Sequence, residues 1–310
     1  MIYAAASYLQ YADSSYWYQF TENKSMKTLV IRTKTEGAMF MERNKLNVIY
    51  YISCFAAILF VYHVLSDGDF SFLLTLGSLI QTFGVAILLT KLFRQNSFSG
   101  ISLKTLQLYA LVHTCRLSSI LFHEGYLPYD STGDFVIKIT EISSLVMILC
   151  AIGTVLLPSG DVAYNAAEDC FGNFGAVSGN FGSLYLILPC FVLACLFHPN
   201  INKNIVTDIA WMFSNYLEIF AVVPQFYMMQ KLTKAIEESI AHFCFSVGFA
   251  RLFLTIFWFE TSVELGEGAV ATLMLVIQLI HLAIMAEFCI YYLVAAKKKE
   301  PLVLPGMMLV

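Results

Sequence analysis

An all-α polytopic membrane protein is the fold class that this sequence predicts, on three observations. Of its 310 residues 58% are hydrophobic and 13% charged, where soluble domains carry roughly 25% charged residues. Apolar runs of about 17 to 25 residues, the length of a bilayer-crossing helix, recur from residue 46 to residue 294. The strict apolar–polar alternation that an outer-membrane barrel requires is absent.

The chain begins with a basic extension, residues 1–44, expected to be weakly structured and cytosolic. It lacks the basic-then-apolar order of a cleavable signal, so the first run, 46–65, is expected to act as an uncleaved anchor within an extra transmembrane helix at 45–66. The remaining runs are 72–92, 105–123, 136–157, 184–198, 207–229, 240–259 and 268–294, of which 184–198 is short. They outline a seven-helix domain over 71–296, followed by a cytosolic tail at 297–310. Pro189 and Pro224 each remove a donor from a helix and predict a bend.

Charge placement orients the spans. Lys24, Lys27, Arg32, Lys34, Arg43 and Lys45 precede the first, Lys91, Arg94 and Lys104 separate the second and third, Lys231 and Lys234 follow the sixth, and Lys297, Lys298 and Lys299 follow the eighth. The alternate loops 66–71, 124–135 and 260–267 carry acidic residues and no Lys or Arg. Positive-inside bias therefore puts both termini in the cytosol. Loop 158–183 falls on the same side yet holds only Asp161, Glu168 and Asp169, and gives that rule no support.

Two segments echo each other, RLSSILF at 116–122 and RLFLTIF at 251–257. Each lies in the middle span of a group of three, with span five between the groups. Parallel three-helix repeats joined by a linker helix place a binding site at the repeat interface.

The charges inside the spans define the candidate site. Arg116, Glu218 and Arg251 fall near span centres, and a charge at that depth is paired or faces a polar cavity. Two arginines against one mid-depth glutamate leave an excess of positive charge, which an anionic ligand would complete; the bland alternative is a helix-holding ion pair. Asp208 and Trp211 share a helix face at the opposite end of span six from Lys231. Together they offer a seat for an ammonium group, and the alternative for Trp211 is an interfacial anchor. Trp258 lies on the face of Arg251. Glu287 stands near the cytosolic end of span eight, and His281, mid-span, is either a titrating group or a neutral structural one. Ser118 and Ser119 read as packing hydroxyls.

No hydrolytic motif and no His/Cys metal spacing occurs, so neither an enzyme nor a metal or other cofactor is expected. The cysteines lie mostly in apolar spans, where disulfides do not form. The partners expected are the bilayer and a small ligand or peptide, with no nucleic acid.

Several blocks resemble the KDEL receptor family, the ER lumen protein-retaining receptors, within the wider PQ-loop and SWEET-like group. They are SGISLKTLQLYALVHTCRL at 99–117, ILPCFVLACLF at 187–197, DIAWMFSNYLEIFAVVPQFYMM at 208–229, AHFCFSVGFARLFL at 241–254 and EFCIYYL at 287–293. The resemblance implies a seven-helix core of two three-helix repeats in ER and Golgi membranes. It also implies capture of luminal proteins by a KDEL-like C-terminal tail and their return to the ER by coated vesicles. By position, Arg116 matches the arginine that meets the peptide carboxylate, Asp208 and Trp211 the residues around the peptide lysine, and Glu218 and Arg251 the cavity wall and its lock. Glu287 and Lys297, Lys298 and Lys299 match positions linked to retrieval sorting and the vesicle coat. The sequence departs from the family at Leu74 and Thr261, where arginines are expected, at Gln81 for a histidine, Ser119 for an aspartate, and Leu117 and Ala250 for tyrosines. Loss of two arginines is expected to weaken recognition of an acidic tail, each charge-assisted hydrogen bond being worth about 1.5–3 kcal/mol. The alternatives are a divergent relative that transports a small solute, or a trafficking adaptor.

Overall fold

A computed structural model describes residues 71–95, 99–126, 134–156, 164, 166–173, 181–232, 234–264 and 268–305, together with Ser53, Ala56 and Phe60. The extension 1–44 lies outside them, as does the span at 46–65 apart from those three helical, exposed positions. The described residues form eight α-helices and no strand: α1 (Phe72–Gln95), α2 (Leu103–Ile120), α3 (Asp134–Leu156), α4 (Leu184–Leu196), α5 (Ile205–Phe220), α6 (Val223–Leu232), α7 (Glu238–Glu264) and α8 (Ala269–Lys298). Five spans, α1, α3, the α5–α6 pair, α7 and α8, are long and apolar enough to cross a membrane.

The two remaining helices depart from that standard for different reasons. α4 has only 13 residues. α2 carries Lys104, His113, Arg116 and two serines, and Lys104, Thr105, His113 and Ser119 are buried against other helices. A helix that spends its polar residues on protein neighbours needs less apolar surface overall.

Packing follows the expected repeat. α1 packs on α7 and α2 on α5; α3 lies against both α1 and α2, as α8 does against α7 and α5. Exchanging α1, α2 and α3 for α5, α7 and α8 maps every one of these pairings onto another. α4 links the triplets and rests on α5. The α1–α7 seam is close because Gly84 faces Ser246, where an added Cβ would sit 2.7 Å from the serine Cβ. Small residues permit such approaches where lipid supplies no hydrophobic drive. Large apolar side chains such as Val146, Leu149, Leu188 and Val192 are exposed, as on lipid-facing helices.

The bend expected at Pro224 is a break at Ala221–Val222, between α5 and α6. Proline has no N–H to give the carbonyl one turn earlier, so the helix parts on the preceding turn. Pro189 lies inside α4, which continues to Leu196.

Lys91, Lys104 and Lys234 gather at one end of the bundle, while Lys138 and Lys203 lie toward the other. Lys91 Nζ meets Glu237 at 2.6 Å, and Lys104 Nζ donates to the carbonyls of Asp169 and Phe171 at 2.6 and 2.7 Å. Lys234 reaches Glu168 at 3.7 Å. Glu168 and Asp169 of the acidic loop that did not fit the charge rule thus sit among lysines. Its Asp169 caps the start of α2, accepting from Ser102 Oγ at 2.9 Å, Lys104 N–H at 3.2 Å and Tyr164 Oη at 2.7 Å. Carboxylates are favoured at helix N-termini. Burial, reinforced by Asp169, pushes the Tyr164 phenol well above its usual range, so it remains a donor.

The segment after α8 folds back instead of projecting. Lys299 ends the helix in a left-handed conformation, φ 58°. Leu302 O then accepts from Ile236 N at 2.8 Å, and Leu302 and Leu304 are buried.

Candidate functional site

Glu218 on α5 is the hub. Both arginines converge on it: Arg251 Nη1 and Nη2 donate to Oε2 and Oε1 at 3.1 and 2.8 Å, and Arg116 Nη2 also pairs with Oε2. Gln81 of α1 donates to Glu218 at 2.9 Å and accepts from Arg251. Leu103 to Arg116 and Glu238 to Arg251 are equal intervals from their helix starts, so the repeat delivers both guanidiniums to the same depth. Glu218 and Arg251 have side chains only 2% and 1% exposed. Charges taken so far out of water persist only when paired and hydrogen-bonded.

The sequence-based charge balance is wrong. A second carboxylate, Glu141 on α3, lies at the same depth, accepting from Arg116 Nη1 at 3.1 Å and meeting His113 Nδ1 at 2.6 Å. Two arginines therefore face two glutamates, and no positive excess awaits an anion. Ion pairing accounts for both arginines, so the second is not in itself a mark of a ligand. A signal for Glu141 exists in the sequence: Ile137, Thr140, Glu141, Ser144, Ile148, Ala151 and Val155 follow helical spacing, and all are buried. A polar group on the inward stripe of an apolar helix marks a lined interior.

Arg116, Glu141, Trp211, Glu218, Arg251 and Trp258 line one cavity of about 70 Å³. Roughly 15 Å³ of such space admits a water, so the cavity as folded has the volume of a few waters and not that of a peptide. Leu74 and Gln81 also line it, as does Gln278 of α8, whose Oε1 is buried without a hydrogen-bond partner. Nothing in the sequence distinguished Gln278.

At the end opposite Lys91, Lys104 and Lys234, Asp208 and Trp211 are joined by a residue the sequence did not single out. Tyr126, in the short turn after α2, donates to Asp208 Oδ1 at 2.6 Å and stacks on Trp211 with centroids 5.3 Å apart. Burial and the bond to Asp208 raise the Tyr126 pKa. Asp208 Oδ1 also accepts from Ile201 N–H at 3.3 Å, while Oδ2 is buried without a hydrogen-bond partner. Trp211 is 5% exposed and faces the cavity, which does not suit a lipid-interface anchor.

The other sequence candidates take separate places. Glu287 and Lys297, Lys298 and Lys299 are exposed and away from the buried network. His281 is buried beside α7 and α5, with no hydrogen-bond partner for its Nε2. Ser118 and Ser119 donate to the carbonyl of Cys115, and Ser119 also to that of Thr207, as packing hydroxyls do. Leu117, Ala250 and Thr261 are buried, with Thr261 Oγ1 bonded to its own helix at Phe257 O, 2.8 Å. Gln225 joins the repeats: it accepts from Ser102 N–H at 2.9 Å, donates from Nε2 to Gly100 O at 2.7 Å, and gives its N–H to Thr105 Oγ1 at 3.0 Å.

Comparison with known proteins agrees with this architecture. Residues 97–261, more than half of the chain, match the family described as ER lumen protein retaining receptor. ER lumen protein-retaining receptor A of Arabidopsis thaliana is 28% identical over 231 residues, covering 74% of this chain and 97% of that protein. The Kluyveromyces lactis ER lumen protein-retaining receptor is 31% identical over 184 residues, 59% of this chain and 72% of its own length. The Plasmodium falciparum receptor of the same name is 26% identical over 230 residues, 74% and 95% of the two chains. With its helical multi-pass architecture, paired three-helix units and buried arginine–glutamate centre, the chain belongs to the ER lumen protein retaining receptor family, which consists of receptors and not enzymes.

Proposed function

We propose that this protein is a receptor of ER and Golgi membranes that recognises the C-terminal tail of luminal proteins and returns them to the ER by vesicle transport. The observation that carries the reading is the cavity shared by Arg116, Tyr126 and Trp211, with Asp208 behind the two rings. It sets a carboxylate-binding guanidinium and an ammonium-binding acid–aromatic group on one solvent space. A peptide's terminal carboxylate would meet Arg116 bidentately. A basic side chain would lie on the faces of Trp211 and Tyr126, with the Asp208 carboxylate behind them supplying the negative charge. Glu218, Arg251 and Gln81 hold the helices behind the ligand, and Trp258 closes the wall.

Both termini face the cytosol in this proposal, supported by Lys91, Lys104, Lys231 and Lys234 at the end of the bundle where α8 also ends in Lys297 and Lys298. Lys297, Lys298 and Lys299, with Glu287, then lie where a vesicle coat would read them. Leu74 and Thr261 supply no charge to an acidic tail, so selectivity rests on Arg116 and on the Asp208 group. Binding of free and amidated peptides to detergent-purified protein tests the reading: amidation or Arg116→Ala abolishes binding, and equal affinity for both peptides refutes it. A second reading, a small-solute transporter, draws on the cavity volume of about 70 Å³, too small for a tetrapeptide as folded. Solute flux into proteoliposomes that is lost in Arg251→Ala would favour it.

A further inference from the structure

Arg116 and Arg251 occupy equivalent places in the repeat, yet among the described residues Arg251 faces one carboxylate and Arg116 faces two. Arg116 Nη1 is divided between Glu141 Oε1 at 3.1 Å and Glu218 Oε1 at 3.5 Å. The Arg116 side chain is 15% exposed, against 6% for Glu141, 2% for Glu218 and 1% for Arg251. Arg116 is therefore the member of the network that a molecule in the cavity reaches first. Its fork of donors is planar and finite, so a carboxylate arriving there must take over bonds already made.

The two resident carboxylates differ in what they lose by yielding. Glu218 also binds Arg251 and Gln81, and drawing it away would leave Arg251 buried without its counter-charge. Glu141 keeps a second partner, His113 at 2.6 Å, when it releases Arg116. It also sits on α3, outside the α2–α5 and α1–α7 seams that hold the repeats together.

We propose that Glu141 is a specificity-determining residue, a tethered carboxylate that occupies Arg116 in the empty site and that an incoming ligand carboxylate must displace. This rests on Arg116 being the carboxylate-binding group of the receptor. The competition sets a threshold: a lone small carboxylate cannot outcompete a tethered one, whereas a carboxylate carried on a tail that also engages Asp208 and Trp211 can. Specificity of this kind comes from an opposing interaction built into the site.

The test uses the full chain purified in detergent, with a peptide ending in Lys-Asp-Glu-Leu as free acid and as amide. Glu141→Gln keeps the side chain's size and removes its charge; it tightens free-acid binding about tenfold or more and leaves the amide unchanged. Glu141→Asp keeps the charge but withdraws it by one methylene and gives an intermediate gain. Phenylglyoxal labelling, mapped by mass, supplies a readout without peptide: Arg116 reacts faster in Glu141→Gln, while Arg251 does not. A folded Glu141→Gln that still discriminates acid from amide, with unchanged or weaker affinity, overturns the role of Glu141 alone. If parent and variant bind acid and amide equally, the assignment of Arg116 as a carboxylate receptor fails, and the proposal fails with it.

Discussion

Neutralising Glu218 separates the two arginines that its position in the repeat makes look alike. In Glu218→Gln the hub keeps its shape, but Arg251, 1% exposed, loses the one carboxylate it meets among the described residues and retains Gln81. Arg116 keeps Glu141 at 3.1 Å. Removing one member of a buried ion pair costs about 3–5 kcal/mol, chiefly through the charge left behind. At about 2–4 °C per kcal/mol for a domain of roughly 150–250 residues, the melting temperature falls by on the order of 10 °C. Adding Arg251→Met removes the stranded charge and recovers more than half of that loss. Adding Arg116→Met instead leaves Arg251 as buried and uncompensated as before, takes one of Glu141's two partners, and recovers none. Unfolding in detergent, followed by a thiol-reactive dye reporting fully buried Cys244, measures all four proteins. A single variant melting within about 2 °C of the parent, or equal rescue by the two second substitutions, would refute the hub.

Three further outcomes follow from particular contacts. Gln225→Ala removes the acceptor for Ser102 N–H and the donor to Gly100 O, costing about 1–3 kcal/mol and raising amide exchange at the start of α2; unchanged exchange there would count against the proline–glutamine pair as the link between repeats. Gly84→Ala drives a Cβ to 2.7 Å from Ser246 and destabilises by about 1–3 kcal/mol, whereas Gly153→Ala, with nothing within 4 Å, is neutral or stabilising by up to about 1 kcal/mol; thermal unfolding of the pair checks the ordering. Leu302→Asp, at a position 7% exposed whose carbonyl accepts from Ile236 N–H, releases the folded-back segment, so trypsin cleaves at Lys297 to Lys299 faster than in the parent; equal cleavage rates would show that the segment is not held.

Much of this protein was legible because a bilayer is an unforgiving solvent. Apolar runs located the helices to within a few residues, and intramembrane charges picked out Arg116, Glu218 and Arg251, since an unpaired charge there is too costly to keep idle. The paired Arg-Leu segments disclosed the repeat, and the α1–α7 and α2–α5 seams obey it. What stayed hidden was partnership. Glu141, 77 residues before Glu218, looks like one acidic residue in an apolar run, yet it cancels the positive excess that the sequence seemed to demand. Tyr126 sits in a turn with no periodicity to betray it, and becomes the link between Asp208 and Trp211 only because α2 ends beside the start of α5. Asp169, a misfit to the charge rule, proves to be a helix cap. Local pattern fixes which residues leave water, because that cost is paid residue by residue along the chain. Which charges then meet depends on how separate helices pack, over 25 residues for Arg116 and Glu141 and 102 for Arg116 and Glu218, and tertiary structure alone decides that.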